Sequence, residues 1–365
     1  MSWEDLFGDL WGEVERLGIS PLREVLFGEA ALAPELERSR GAVLAAHGLE
    51  LDLPWTMVGC TPCLGGGVAG VQLFGVSGSG VRAGSCVTLR REGRAVGRLL
   101  EAGGARLAVL SDINGLRAGG GPGEGPEAEA ERMFRLAEES VEAFGFSFRQ
   151  VARTWIYIPR LLGWYGGFNR VRDKAFRRLG LISSEGPVHL PASTGIQGKH
   201  SDGAECFMDM LLVDSASGTP HAMSVMRSGH QCEASDYGSS FARGMRLELG
   251  GAEVLLVSGT ASINLAGETV HHGDGAAQVR ETLSAVSTLL EPAGAELRDL
   301  VSSVAFCKTP EVFHQWQQAV AEAGGPLAAA IPVLADVCRE DLLFELEPTA
   351  VVDQRLRDQA ERSSL

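Results

Sequence analysis

The apolar positions of this chain fall into two runs with the same rhythm. Residues 104–116 (GARLAVLSDINGL) and 251–265 (GAEVLLVSGTASINL) each read as an apolar strand ending in a small polar corner that begins with serine. A loop, a long amphipathic helix, a second strand and a further helix follow in both. Ser111 and Ser258 stand 147 positions apart, as do Leu136 and Leu283. An offset held across a strand and a helix predicts a duplicated module, and two non-identical copies can hold a site between them.

In the first copy the periodicity predicts a helix over 131–144, a strand over 151–158 (VARTWIYI) and a helix over 165–179 with Phe168, Val171, Ala175, Phe176 and Leu179 on one face. The small-residue stretch 190–199 (LPASTGIQGK) leads into a strand over 206–213. The second copy runs in parallel: a strand over 254–258, a helix over 276–290, a strand over 300–308, a helix over 311–323, then strands over 331–338 and 341–346. Pro191 lines up with Pro332. Each copy predicts β-β-α-β-α-β-β, an α+β module whose mixed β-sheet has helices packed on one face. Residues 117–129 (RAGGGPGEGPEAE) are too rich in glycine and proline for an element and read as a mobile loop. Upstream, 1–48 reads as helical with breaks at Pro21 and Pro34, and 49–100 as irregular strands and hairpins. The implied division is an N-terminal helical and irregular β extension over 1–90, a first module over 91–215 and a second over 216–365.

Composition narrows the function classes. A chain of 365 residues supports more than one core, and 45% hydrophobic content is that of an ordinary globular protein. The net charge of −15 leaves no basic stripe for phosphates, so nucleic acid is not an expected partner, while a small anionic substrate needs only local arginines. The N-terminal segment MSWEDLFGDLWGEVERLG is acidic and amphipathic, unlike a signal peptide, and no 18-residue apolar run occurs. Seven scattered cysteines demand no disulfide framework. The expectation is a reduced, cytoplasmic protein with no membrane partner.

The short motifs are weak. Cys60-x-x-Cys63 lacks a second pair at zinc spacing, and the adjacent His271 and His272 diverge as neighbours do. The glycines of 65–67 and 75–80 lack the helix and lysine of a phosphate loop, and neither Ser111 nor Ser258 sits in a nucleophile elbow. No cofactor and no metal is expected.

Three strings carry a family likeness: 257–263 (VSGTASI); Gly267-x-Thr269-x-His271-x-Gly273-Asp274-x-x-Ala277-Gln278; and Val337-Cys338-Arg339-x-Asp341-Leu342-Leu343-x-Glu345. Over roughly residues 90–350 the chain resembles the Rid/YjgF superfamily, whose modules are chorismate-mutase-like. More narrowly it resembles the double-module chorismatase branch, its 3-hydroxybenzoate synthase-like members included. Arg153-Thr154-Trp155-x-Tyr157, Phe241-x-Arg243-Gly244 and Pro191-Ala192 fit that branch as well. The likeness implies an enzyme that removes the enolpyruvyl group of chorismate as pyruvate without a cofactor. It also implies that single modules assemble as trimers with sites between subunits. The oligomeric state of a two-module chain is left open, a homo-oligomer included, and residues 1–90 could complete such a ring internally.

Carried over residue by residue, the likeness makes Glu345 the catalytic carboxylate and Cys338 the product-determining position, where a cysteine goes with 3-hydroxybenzoate. A vinyl ether is cleaved by protonating its methylene carbon, and a desolvated carboxylic acid can do that near neutral pH. Glu345 read without the family is the polar residue of an edge strand, and Cys338 a buried small hydrophobe. For the two carboxylates of the substrate the candidates are Arg243, Arg160 and Tyr157, with Thr194, Gly195 and Gly244 giving close backbone approach. A surface ion pair for Arg160, a core-edge phenol for Tyr157 and a plain turn at Gly244 stand beside those roles. The chain departs from the family at residues 161–172, and Ser193 and Leu334 stand where Rid deaminases have an arginine, which argues against imino-acid deamination. Two rival functions remain: a Rid-like enzyme acting on another imine, enamine or enol ether, and a non-catalytic protein binding a small carboxylate.

Overall fold

Three β-sheets surround a central cavity of about 700 Å3, and each carries two helices on the face turned away from it. The computed structural model describes residues 2–49, 53–77, 86–102, 104–119, 125–215, 223–323 and 330–353. Among these residues no helix is long and apolar enough to cross a membrane.

The N-terminal unit consists of α1 (Trp3–Arg16), β1 (Ser20–Gly28), α2 (Ala33–Ala46), β2 (Thr56–Gly59), the two-residue β3 (Thr61–Pro62) and β4 (Val68–Val76). Ser2 caps α1: its hydroxyl accepts from the Asp5 N–H and its own N–H donates to the Asp5 carboxylate. β1 is the centre of a sheet ordered β2-β1-β4, parallel to β2 and antiparallel to β4. Residues 20–28 are therefore a central strand, where the sequence pattern of 1–48 reads as helix. Every position from Leu22 to Gly28 is buried. A strand covered on both faces loses the period-2 signal that identifies strands in sequence.

The middle unit runs β5 (Cys86–Arg91), β6 (Arg94–Ala102), β7 (Ala105–Asn114), α3 (Gly125–Ala143), β8 (Val151–Tyr157), α4 (Leu161–Arg178), a small hairpin β9 (Ile182–Ser183) and β10 (Gly186–Pro187), then β11 (Ala192–Ile196) and β12 (Phe207–Ser215). Its sheet order is β11-β8-β12-β7-β6-β5. The last unit runs β13 (Met223–Met226), β14 (Gly244–Leu249), β15 (Ala252–Val257), β16 (Thr260–Ala261), α5 (Gly275–Leu290), β17 (Leu300–Cys307), α6 (Pro310–Ala323), β18 (Ala330–Leu334) and β19 (Phe344–Asp353). Its order is β13-β14-β15-β19-β17-β18, with β3 added at the β18 edge.

The two orders are the same, and both copies are mixed sheets with helices on one face. The helix expected over 131–144 begins earlier, at Gly125, and residues 120–124 of the glycine-rich loop lie outside the described residues. Pro191 stands just before β11, whereas Pro332 is the middle residue of β18. Register sets the true equivalence: Thr194 lies opposite Trp155 as Ile331 lies opposite Val304.

The N-terminal unit repeats most of this plan as well. Its α1-β1-α2-β2-β4 matches α3-β8-α4-β11-β12, with the same parallel pair and the same antiparallel neighbour. Matching positions form polar pairs from each unit to the next, two of them buried. Arg23 Nε donates to Asp209 Oδ2 at 2.8 Å, Arg153 Nη2 lies 3.3 Å from Glu347 Oε2, and Gln72 Nε2 donates to Ser302 Oγ at 2.8 Å. Arg23 stands two residues before the partner of Thr56, as Arg153 stands two before the partner of Thr194. Two complete modules and one lacking its first three strands thus close a ring within a single chain.

Candidate active site

Alternation along β19 separates two kinds of residue. Phe344, Leu346, Ala350 and Val352 pack under α5 and α6, while Glu345, Glu347, Thr349 and Val351 point the other way. The apolar neighbours of Glu345 in sequence therefore do not bury it. The middle unit does, through the edge of β11 docked on the segment after β15. Ser193 N–H donates to Ser258 Oγ at 2.9 Å, Gly259 N–H donates to Thr194 Oγ1 at 3.1 Å, and Arg153 Nη1 donates to the Val257 carbonyl at 2.9 Å.

Glu345 is 4% exposed, and its carboxylate accepts no hydrogen bond among the described residues. Burial, reinforced by the nearby Glu347 carboxylate, pushes its pKa up to about 8 against the opposing pull of Arg153 and Arg243. Glu347 is engaged differently. It accepts from Trp155 Nε1 at 2.6 Å and pairs with Arg153, which also donates to Thr194 Oγ1 at 2.5 Å. One carboxyl of this pair is solvated by the protein and the other is not. A proton at neutral pH belongs on Glu345.

Around Glu345 lie Cys338, Arg243, Tyr165 and Tyr237, which feel one another electrostatically. Burial, and then the Glu345 charge, raises the Cys338 thiol to about 12, so it is a thiol rather than a thiolate near neutrality. Arg243 is 2% exposed; its Nε and Nη2 donate to the Cys232 carbonyl at 2.8 and 2.6 Å, and it has no ion pair among the described residues. The Arg339 guanidinium donates to the Gly267 carbonyl at 2.8 Å and likewise makes no ion pair with Glu345. Cations and phenols thus surround a neutral acid. Among the described residues no group of three or more His, Cys, Asp or Glu side chains is placed to hold a metal ion. His271 and His272 face different carboxylates, Glu281 and Asp341.

The other sequence candidates divide. Thr194 and Gly195 lie on β11 beside the acid; Gly195 is small enough for the Tyr165 phenol to rest on it, since a Cβ there would meet Tyr165 Oη at 3.1 Å. Gly244 makes room for Met226 inside the sheet, its Cβ position lying 3.0 Å from Met226 Sδ. Neither Arg160 nor Tyr157 joins the group. Arg160 stands exposed at the start of α4 in an ion pair with Glu205 at 2.8 Å. Tyr157 lies farther along β8, between Phe27 and Phe207, where it accepts from Arg23 Nη2 at 3.3 Å. That is the neighbouring, equivalent seam. There Phe207, opposite Tyr157, takes the place that Glu345 holds opposite Phe306, and at the third seam Gly70 does so opposite Phe27. Of these three matching positions only Glu345 is an acid.

Gly259 is the residue whose size matters most. A Cβ there would overlap Glu345 Oε1, stand 2.9 Å from its Cδ and press on Thr194 at 3.2 Å. Gly259→Ala should turn the carboxyl out of the site and lower turnover by about 10²-fold or more with the fold retained. Steady-state kinetics alongside circular dichroism checks this.

A family model described as endoribonuclease L-PSP matches residues 247–352. The 3-hydroxybenzoate synthase of Streptomyces hygroscopicus is 30% identical over 258 residues, which are 63% of this chain and 72% of that protein. A chorismatase crystal structure superposes over 91% of this chain and 93% of its own with a TM-score of 0.61, at 19% identity, a likeness of fold.

Proposed function

Because this chain belongs to the Rid/YjgF superfamily and, within it, to the chorismatase branch, we propose that it cleaves the enolpyruvyl ether of chorismate to pyruvate and 3-hydroxybenzoate. The observation that carries this reading is a buried Glu345 with no hydrogen-bond donor to hold it ionised, its pKa up near 8, at a seam that also carries unpaired arginine. Its proton goes to the methylene carbon of the vinyl ether, leaving positive charge on the carbon that bears the ether oxygen. The carboxylate so formed stabilises that cation and is the base to which a proton returns. Arg243 holds a substrate carboxylate as a buried cation.

Chorismate contains the same atoms as pyruvate and 3-hydroxybenzoate together, so this route takes up no water, whereas release of a dihydroxy-cyclohexadiene acid adds one. Cys338, as a thiol, favours the dry route by occupying the place where water would attack. Cys338→Ala is expected to divert product toward the hydrated acid, read by chromatography; a variant still making only 3-hydroxybenzoate contradicts the assignment. The primary test is incubation of pure protein with chorismate and measurement of pyruvate. No pyruvate, together with a thermal shift on adding chorismate, points to a binding protein instead; neither response points to another enol ether, imine or enamine.

A further inference from the structure

Arg172 on α4 is 1% exposed, yet no carboxylate pairs with it among the described residues. Its Nη2 donates to Asn169 Oδ1 at 2.9 Å, and its Nε has no hydrogen-bond partner among the described residues. A buried guanidinium without a counter-ion is costly, and protein groups near it normally supply one. Arg243, from the other module, is buried under the same condition. Both lie against one ring: the guanidinium carbons of Arg172 and Arg243 stand 5.9 and 5.7 Å from the centre of Phe241.

Helical spacing puts Arg172 on the side of α4 that carries Tyr165 and Phe168, at i, i+3 and i+7. Tyr165 in turn senses Arg172, Cys338 and Glu345 together. We propose that Arg172 and Arg243, astride Phe241, form a two-guanidinium subsite that takes both carboxylates of a dianionic ring compound and sets it against Glu345. This deepens the reading of the previous subsection and rests on it for the identity of the reacting bond, while the demand for two carboxylates comes from the arginines alone. It gives a role to residues 161–172, the stretch in which the chain departs from the family pattern.

The test uses the full chain and two probes, isophthalate and benzoate, titrated by calorimetry. The wild type is expected to bind the dicarboxylate about tenfold or more tightly than benzoate. Arg172→Met should erase that preference and Arg172→Lys should keep part of it. A role confined to binding also predicts that Arg172→Met melts no lower than the wild type, because an unpaired buried charge has been removed. Equal affinities in the wild type, or an undiminished preference in Arg172→Met, overturn the proposal, as does a lowered Tm with the preference intact. Chorismate turnover separates the two claims. Dicarboxylate preference without pyruvate release leaves the subsite standing and removes the chorismate reading; pyruvate release with an unchanged KM in Arg172→Met does the reverse.

Discussion

Glu345→Gln is expected to lower kcat for pyruvate release by roughly 10²–10⁴ while the protein stays folded. Glutamine keeps the size and polarity of the acid but has no proton to give a carbon. The substitution should be well tolerated, since among the described residues Glu345 accepts no hydrogen bond that an amide would lose. Linkage gives a second readout. With its folded pKa near 8 against an ordinary 4.5, Glu345 binds a proton more tightly in the folded state. Its contribution to stability is therefore full below about 4.5 and falls away as pH rises toward 8. Denaturant melts of the wild type should show that decline, and Glu345→Gln should lack it.

Asp209→Ala should be the most damaging single change to the fold, costing about 3–5 kcal/mol. Asp209 is fully buried and accepts from Arg23 Nε at 2.8 Å, Thr56 Oγ1 at 2.6 Å and the Asp112 N–H at 2.9 Å. Its loss leaves the Arg23 cation, stacked 3.9 Å above Trp155, without its ion-pair partner. Those contacts tie the N-terminal unit to the middle one, so Asp209→Ala should also detach the first unit. Urea unfolding followed by tryptophan fluorescence checks both effects, Trp11 reporting on the N-terminal core and Trp155 on the seam. A loss below about 1 kcal/mol would mean that the buried pairs between units are incidental to closure.

Much of the architecture was legible because the second copy repeats the first at a fixed offset and its amphipathic helices keep one apolar face. The N-terminal unit was not. β1 is buried on both sides, and its repeat of the plan survives only in strand order and in single residues such as Arg23 and Gln72. The candidate acid could be named from the likeness of its motif, but the reason for its burial could not, since β19 turns its apolar residues toward the helices and Glu345 toward another unit. Arg160 and Tyr157 looked suitable from their place at the end of a strand, yet one faces Glu205 and the other the neighbouring seam. Arg172 gave a signal that could have been read: an arginine on the helix side that also carries Tyr165 and Phe168 must either reach water or meet an anion. Phe241 and Gly259 come from loops and Tyr237 from a single 3-10 turn, where no periodicity points to a partner.

Catalysis turns on the proton of Glu345, which stays on the carboxyl near neutral pH only because one module buries the strand end of another. The pH dependence of kcat/KM for pyruvate release from chorismate measures that proton in the free enzyme. The predicted profile is flat across neutral pH and falls tenfold per unit above a pKa near 8. Absence of pyruvate at every pH, or a rate that climbs through the same interval, would contradict it.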